Sequence, residues 1–219
     1  LIDEGNTIPF IARYRKEMTG ALNDETLRNL HERLLYLRNL EEKKEQVINA
    51  ITDQGKMTED LKKKILSAET LVAVDDLYRP YRPKKQTRAT KAKEKGLEPL
   101  ANILLLQKTT KSMEEEAAAF VNAEKGVANA KEAIAGAKDI IAEMIADMAD
   151  YRKSIRNCTM KQGSLVVKAK DEKAESVYEM YYDFREPLSK VTGYRVLAIN
   201  RGEKEKFLTV KVEAPDVQI

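Results

Sequence analysis

"NDETLRNLHERLLYLRNLEEKKEQVINAITDQG", residues 23–55, contains no proline and no glycine before its last residue. The class of fold turns on this segment. Asn23 is a strong N-cap, and Asp24 and Glu25 place negative charge at the positive end of the helix dipole. Leu27, Leu30, Leu34 and Leu37 then recur at alternating three- and four-residue spacing, which predicts one long helix to about Gln54, closed by Gly55. A coiled-coil dimer would carry that seam onward, but Glu41 and Lys44 take its next two positions before Ile48 and Ile51 resume it. The segment is therefore read as one helix of an intramolecular bundle.

Upstream, "LIDEG" (1–5) ends as a helix begun earlier would, with Gly5 as a left-handed cap. Thr7 caps a new helix carrying Pro9 in its first turn, expected to bury Ile8, Phe10 and Ile11 and to end by Gly20. The first residues have neither an initiator Met nor a charged head before an apolar stretch, and read as the interior of a longer protein rather than a signal peptide. Downstream, Thr58 starts a helix with Leu61, Ile65 and Leu66 as its apolar face, and Thr70 starts a short one through Leu77. Pro80 and Pro83 forbid helix in the next segment, which resumes after Thr87 and stops at Gly96. Residues 97–106 form a further apolar helix with Pro99 in its first turn.

Ser112 with Glu115 is a capping box. From Val127 to about Arg156 the chain reads as one Ala-rich helix, with Ala130, Ala133, Ala137, Ile141, Ile145 and Met148 on its packing face. Past Gly163, "SLVVKAK" (164–170) and "KFLTVKVE" (206–213) are β-branched and partly alternating, and are expected to pair as a ribbon. Between them "AESVYEMYYDF" (174–184) reads as a helix burying aromatics; "TGYRVLAINRG" (192–202) fits helix or strand and is taken as a helix capped by Thr192. The expected fold is mainly α, a multi-helix bundle with a small two-stranded β ribbon near the C-terminus. Residues 1–108 are expected to form an N-terminal helical domain with the long helix and a basic loop, and 109–219 an Ala-rich helical domain with the ribbon.

Composition agrees with this reading: 42% hydrophobic, 34% charged, no Trp, and only nine glycines and six prolines in 219 residues. Cys158 has no partner for an internal disulfide, and no apolar run approaches the ~18 residues of a membrane span, so a reducing, cytoplasmic setting without membrane attachment is expected. His31 is the only histidine; with one His and one Cys the usual zinc sites are excluded. Asp75 and Asp76 are adjacent and diverge by about 100° on a helix, and no glycine-rich loop follows a strand. No catalytic residue, metal ligand or cofactor is assigned.

"PYRPKKQTRATKAKEKG" (80–96) is the positive feature. Tyr78 to Lys95 hold eight basic residues against Glu94, a net +7 in a chain whose total is +3. The candidate nucleic-acid-binding residues are Arg79, Arg82, Lys84, Lys85, Arg88, Lys91 and Lys93, contacting phosphates while Tyr78 or Tyr81 stacks on a base. The competing reading pairs these cations with the acidic face of a neighbouring helix, and residues 111–150, net −5, keep it open. A second cluster, Arg13, Arg15 and Lys16 around Tyr14, is expected to bridge to carboxylates of the next helix.

"EGNTIPFIARYRKEMTGAL" (4–22), "VDDLYRPYRPKKQTRATKAKEKGLEPLA" (74–101) and "EEEAAAFVNAEKGVANAKEAIAGAKDIIAE" (114–143) together resemble the N-terminal part of the bacterial Tex proteins, transcription accessory factors. The basic stretch keeps the family pattern at Tyr78, Pro80, Tyr81, Pro83, Lys84, Lys85, Thr87 and Arg88, with Arg79 where the family commonly has an apolar residue and Gln86 inside the basic run. The resemblance implies a mostly helical region with a helix-turn-helix-like element, no catalytic activity, and downstream ribonuclease H-like, helix-hairpin-helix and S1-type RNA-binding domains in a full-length member. It also implies nucleic acid, RNA or DNA, the RNA polymerase machinery and those downstream domains as partners. Two functions are then expected: a nucleic-acid-associated scaffold making sequence-independent phosphate contacts through 79–95, or a docking module for proteins or domains that binds no nucleic acid itself.

Overall fold

Residues 24–53 form a single helix, α3 (Asp24–Asp53), in the computed structural model, which describes residues 1–219. The Asn23 side chain accepts the Thr26 N–H at 2.8 Å, closing the expected cap. The buried stripe differs from the leucine seam. Leu27, Leu40, Lys44, Val47 and Ile51 are buried, whereas Leu30 and Leu37 face water. At about 100° per residue, positions 27 and 40 lie about 140° apart around the helix, so α3 changes packing face along its length. Its N-terminal end sets Leu27 against Ile8 and Ile11 of α1 (Ile8–Tyr14). Its C-terminal half joins Ile65 of α4 (Glu59–Leu66) and Val74 of α5 (Leu71–Tyr78) in a second cluster.

Lys44 sits inside that second face. Its stem is buried and its ammonium donates to the Leu66 carbonyl at 2.9 Å and to Glu41 Oε1 at 2.8 Å. Leu66 is the last residue of α4, so the cation satisfies a carbonyl with no intrahelical partner at the negative end of that helix dipole. Leu66's own side chain, expected on the apolar face, is exposed. Thr58, Thr70 and Thr87 each accept a backbone N–H at the head of α4, α5 and α6 (Arg88–Glu94), and Ser112 and Glu115 form both bonds of the capping box heading α8 (Met113–Ala118).

Two expected helices are broken. The first ends at Arg15 (φ −128°, ψ 33°), leaving α2 (Lys16–Thr19) as a separate turn and Phe10 exposed. The Ala-rich helix is interrupted at Met148 (ψ 117°) into α9 (Ala130–Asp147) and α10 (Ala149–Gln162). Ala133, Ile134, Ala137 and Ile140 are buried, but Ile145 and Met148 are exposed and α10 buries no side chain. Between α6 and α8 lies α7 (Glu98–Leu106), as expected. The chain divides within α9 into two compact units, Leu1–Ala137 and Lys138–Ile219. No helix is long and apolar enough to cross a membrane.

The second unit is built on a sheet of β1 (Ser164–Ala169), β2 (Asp183–Pro187) and β3 (Leu208–Glu213), in the order β2-β1-β3 and antiparallel throughout. The β1–β3 ribbon is as expected. The third strand is a correction, because the segment read as an aromatic helix has only a 3-10 turn over Glu179–Tyr181 before β2. Its reason is the period of two in Asp183–Pro187: Asp183 and Arg185 are exposed, whereas Phe184 and Glu186 turn inward. Val167, fully buried, stands between Phe184 and Val210. Tyr178 and Tyr181 pack with Ile199 of α11 (Gly193–Lys204) and with Leu208. Burial and a hydrogen bond to Glu205 push the Tyr178 phenol above its ordinary pKa. Thr192 stands at the N-cap of α11 but makes no side-chain cap bond; Arg195 instead anchors that end through Glu186 and lies over the Phe184 ring.

Lys44→Met keeps the stem and removes the donor, and is expected to lower the free energy of urea unfolding by about 1–3 kcal/mol. An unchanged midpoint would mean that the Leu66 carbonyl needs no cap. In the second unit a Cβ at Gly202 would lie 2.6 Å from Leu208 Cδ1 and 2.9 Å from its Cγ, inside a core that leaves Leu208 no room to move. Gly202→Ala is expected to cost about 1–3 kcal/mol in the same measurement, where an exposed helical glycine would gain stability from alanine.

Candidate nucleic-acid interface

The basic segment begins as a continuation of the core. After α5 a 3-10 turn covers Arg79–Tyr81, the chain is extended at Arg82, and Thr87 caps α6. Tyr78 and Tyr81 pack against the α3–α4–α5 cluster. Gln54 Nε2, at the end of α3, donates to the Tyr81 carbonyl at 3.0 Å. The Arg82 guanidinium lies 5.5 Å from the centre of the Tyr78 ring and donates to Asp75 Oδ1 at 2.5 Å, with Lys43 Nζ 3.8 Å from the same oxygen. The start of the loop is thus fixed to α3 and α5 by two half-buried rings, one carboxylate and one carbonyl.

Both tyrosines are half-buried against that cluster, and the Arg82 guanidinium lies over the Tyr78 ring. The cations fare differently. Arg79, Arg82, Lys84, Lys85, Arg88, Lys91 and Lys93 are all exposed. Arg82 is bound to Asp75, and Lys93 Nζ lies 3.6 Å from Glu98 Oε1. Arg79, Lys84 and Arg88 each hold at least one further interaction. Lys85 and Lys91 have neither an ion pair nor a side-chain hydrogen bond. The segment therefore divides into a fixed base around Arg82 and a solvent-facing run whose charge is only partly neutralised.

The second cluster differs from its expectation as well. Arg13, Arg15 and Lys16 reach no carboxylate; Arg15 lies 5.4 Å over the Phe10 ring, and Phe10 and Tyr14 pack ring to ring at 5.3 Å on the surface. One cation outside the sequence window was not anticipated. Lys125 is carried by a turn that Asn122 and Val127 close with a pair of backbone hydrogen bonds, and it lies beside Gly96. No local spacing signals this proximity, although the tetrapeptides at 94–97 and 124–127 are nearly the same.

Comparison with known proteins bears on the whole chain. Residues 108–219 match the family model described as Tex central region-like, and residues 1–52 match the Tex-like protein N-terminal domain. The chain belongs to the Tex family. Among its relatives it is 47% identical over 218 residues to protein YdcI of Bacillus subtilis, covering 98% of this chain and 30% of that protein. It is 41% identical over 216 residues to the transcriptional accessory protein Tex of Neisseria gonorrhoeae, covering 97% of this chain and 28% of that one. The human S1 RNA-binding domain-containing protein 1 is 34% identical over 226 residues, 99% of this chain and 22% of that protein. The chain thus spans less than a third of the length of these Tex-family relatives.

Tyr81→Ala is expected to lower unfolding stability by about 1–3 kcal/mol, the scale of losing a half-buried aromatic contact. A ring held out for stacking would leave the urea midpoint unchanged.

Proposed function

We propose that this chain is the N-terminal helical scaffold of a transcription accessory factor, and that it touches nucleic acid by sequence-independent phosphate contacts through residues 79–95. The observation that carries this reading is the exposure of all seven candidate cations along one continuous segment, with Lys85 and Lys91 unneutralised. Lysine and arginine so arranged attract a phosphate backbone by charge and counterion release, and fix register without reading bases. The names of the Neisseria and human relatives, a transcriptional accessory protein and an S1 RNA-binding domain-containing protein, agree with a nucleic-acid setting.

A second reading, a docking platform for other domains or proteins, is favoured by the Arg82–Asp75 and Lys93–Glu98 pairs, which spend two of the seven cations within the fold. Binding of the chain to short labelled RNA and DNA duplexes across a salt series separates the two. Lys85→Gln together with Lys91→Gln is expected to weaken binding to both and to reduce the slope of log K against log salt by about 1.8, from about 0.9 per lost phosphate contact on a duplex. An unaltered slope, or no binding by the parent chain at low salt, favours the docking platform.

A further inference from the structure

The tetrapeptides Glu94-Lys95-Gly96-Leu97 and Glu124-Lys125-Gly126-Val127 form two turns that face each other in the first unit. Both glycines are left-handed, at φ +80° and +72°, and both following residues, Leu97 and Val127, are fully buried. Each lysine reaches across the other turn. Lys95 Nζ donates to the Gly126 carbonyl at 2.7 Å, and Lys125 Nζ lies 3.7 Å from where a Cβ on Gly96 would stand. The crossing sets two ammonium groups on one small exposed surface. Lys91 stands one helical turn before Lys95, about 6 Å along the axis and on the same side. Glu94 and Glu124 are exposed and hold no ion pair with any of these lysines.

Lys95 spends one of its donors on the Gly126 carbonyl, but neither lysine has a carboxylate partner, so both positive charges stay uncompensated. The arrangement gains from an external anion. Its chemistry also limits the class of anion. A protein partner is held chiefly by aromatic or aliphatic anchors in desolvated pockets, and residues 91–96 and 122–126 offer only Lys, Glu, Asn, Ala and Gly. Ammonium groups beside side-chain-free glycines suit a phosphate backbone, which binds point charges and needs close approach. We infer that the crossed Glu-Lys-Gly turns form a phosphate-contacting site, in which Lys95 and Lys125 extend the cationic run of Lys85 and Lys91 onto a second element. This rests on the nucleic-acid reading above and adds Lys125, which lies outside the basic segment.

The test uses the whole chain, a labelled RNA duplex and a labelled DNA duplex across a salt series, with Lys95→Gln/Lys125→Gln set beside Lys85→Gln/Lys91→Gln. Far-ultraviolet circular dichroism and the urea midpoint check that each variant folds. For the turn variant the expected result is about tenfold or greater weakening at low salt and a slope reduced by about 1.8. If the loop variant loses affinity while the turn variant keeps both affinity and slope, the inference falls and the loop reading stands. If the turn variant alone loses them, the site stands and the loop reading falls. If the parent chain binds neither duplex at low salt, or binds poly-glutamate with the same dependence on Lys95 and Lys125 and no duplex, the site is overturned as a phosphate contact.

Discussion

Ile51, Ile65 and Val74, each without exposed surface, come from three helices and meet in one cluster. Their mutual burial fixes where α5 lies on α3, and therefore where the chain stands when it leaves α5. Everything distinctive about the basic segment follows from that position. Tyr78 and Tyr81 emerge against the flank of the same cluster, and Gln54 and Asp75 are at hand to hold the turn between them. A loop rich in lysine and arginine would ordinarily be held loosely by self-repulsion; here Tyr78 and Tyr81 pack against the core and Arg82 is tied to Asp75. The cations beyond Arg82 are presented from a defined start, which spares some of the ordering entropy that a flexible basic tail loses when it binds.

Charge in this unit is divided according to depth. The buried cation, Lys44, donates to a helix end and to a neighbouring carboxylate, and it ties two helices where another leucine would only have filled space. Half-buried Asp75 takes Arg82 and faces Lys43. Pairs as exposed as Lys93 and Glu98 contribute little to stability and remain open to competition by a stronger anion. A polyanion would therefore find cations at the periphery held weakly and cations near the core already spent.

What was legible in the sequence was local. The caps by Thr7, Asn23, Thr58, Thr70, Thr87 and Ser112 stand where the residues place them, because each depends on a hydrogen bond to an N–H only three residues along. The buried face of α3 was not legible: the heptad template assumes one partner along the helix, and α3 has different partners at its two ends. The same limit applies to β2, whose five residues alternate correctly but whose pairing with β1 is a long-range choice. At the candidate site, net charge could be read directly from the residues. The commitment of both tyrosines to the core could not, nor could the arrival of Lys125 from another turn.

The interruption at Met148 leaves α10 as a fourteen-residue helix with no buried side chain and with Tyr151, Ile155 and Met160 in water. An isolated helix of that length is marginal in water, and most helical stability comes from a packed face. It is held to its unit through the 3-10 turn at Leu188–Lys190, and its amide hydrogens are expected to exchange ahead of those in the sheet it leads into. Within its unit this helix is expected to stand at the low end of a graded stability.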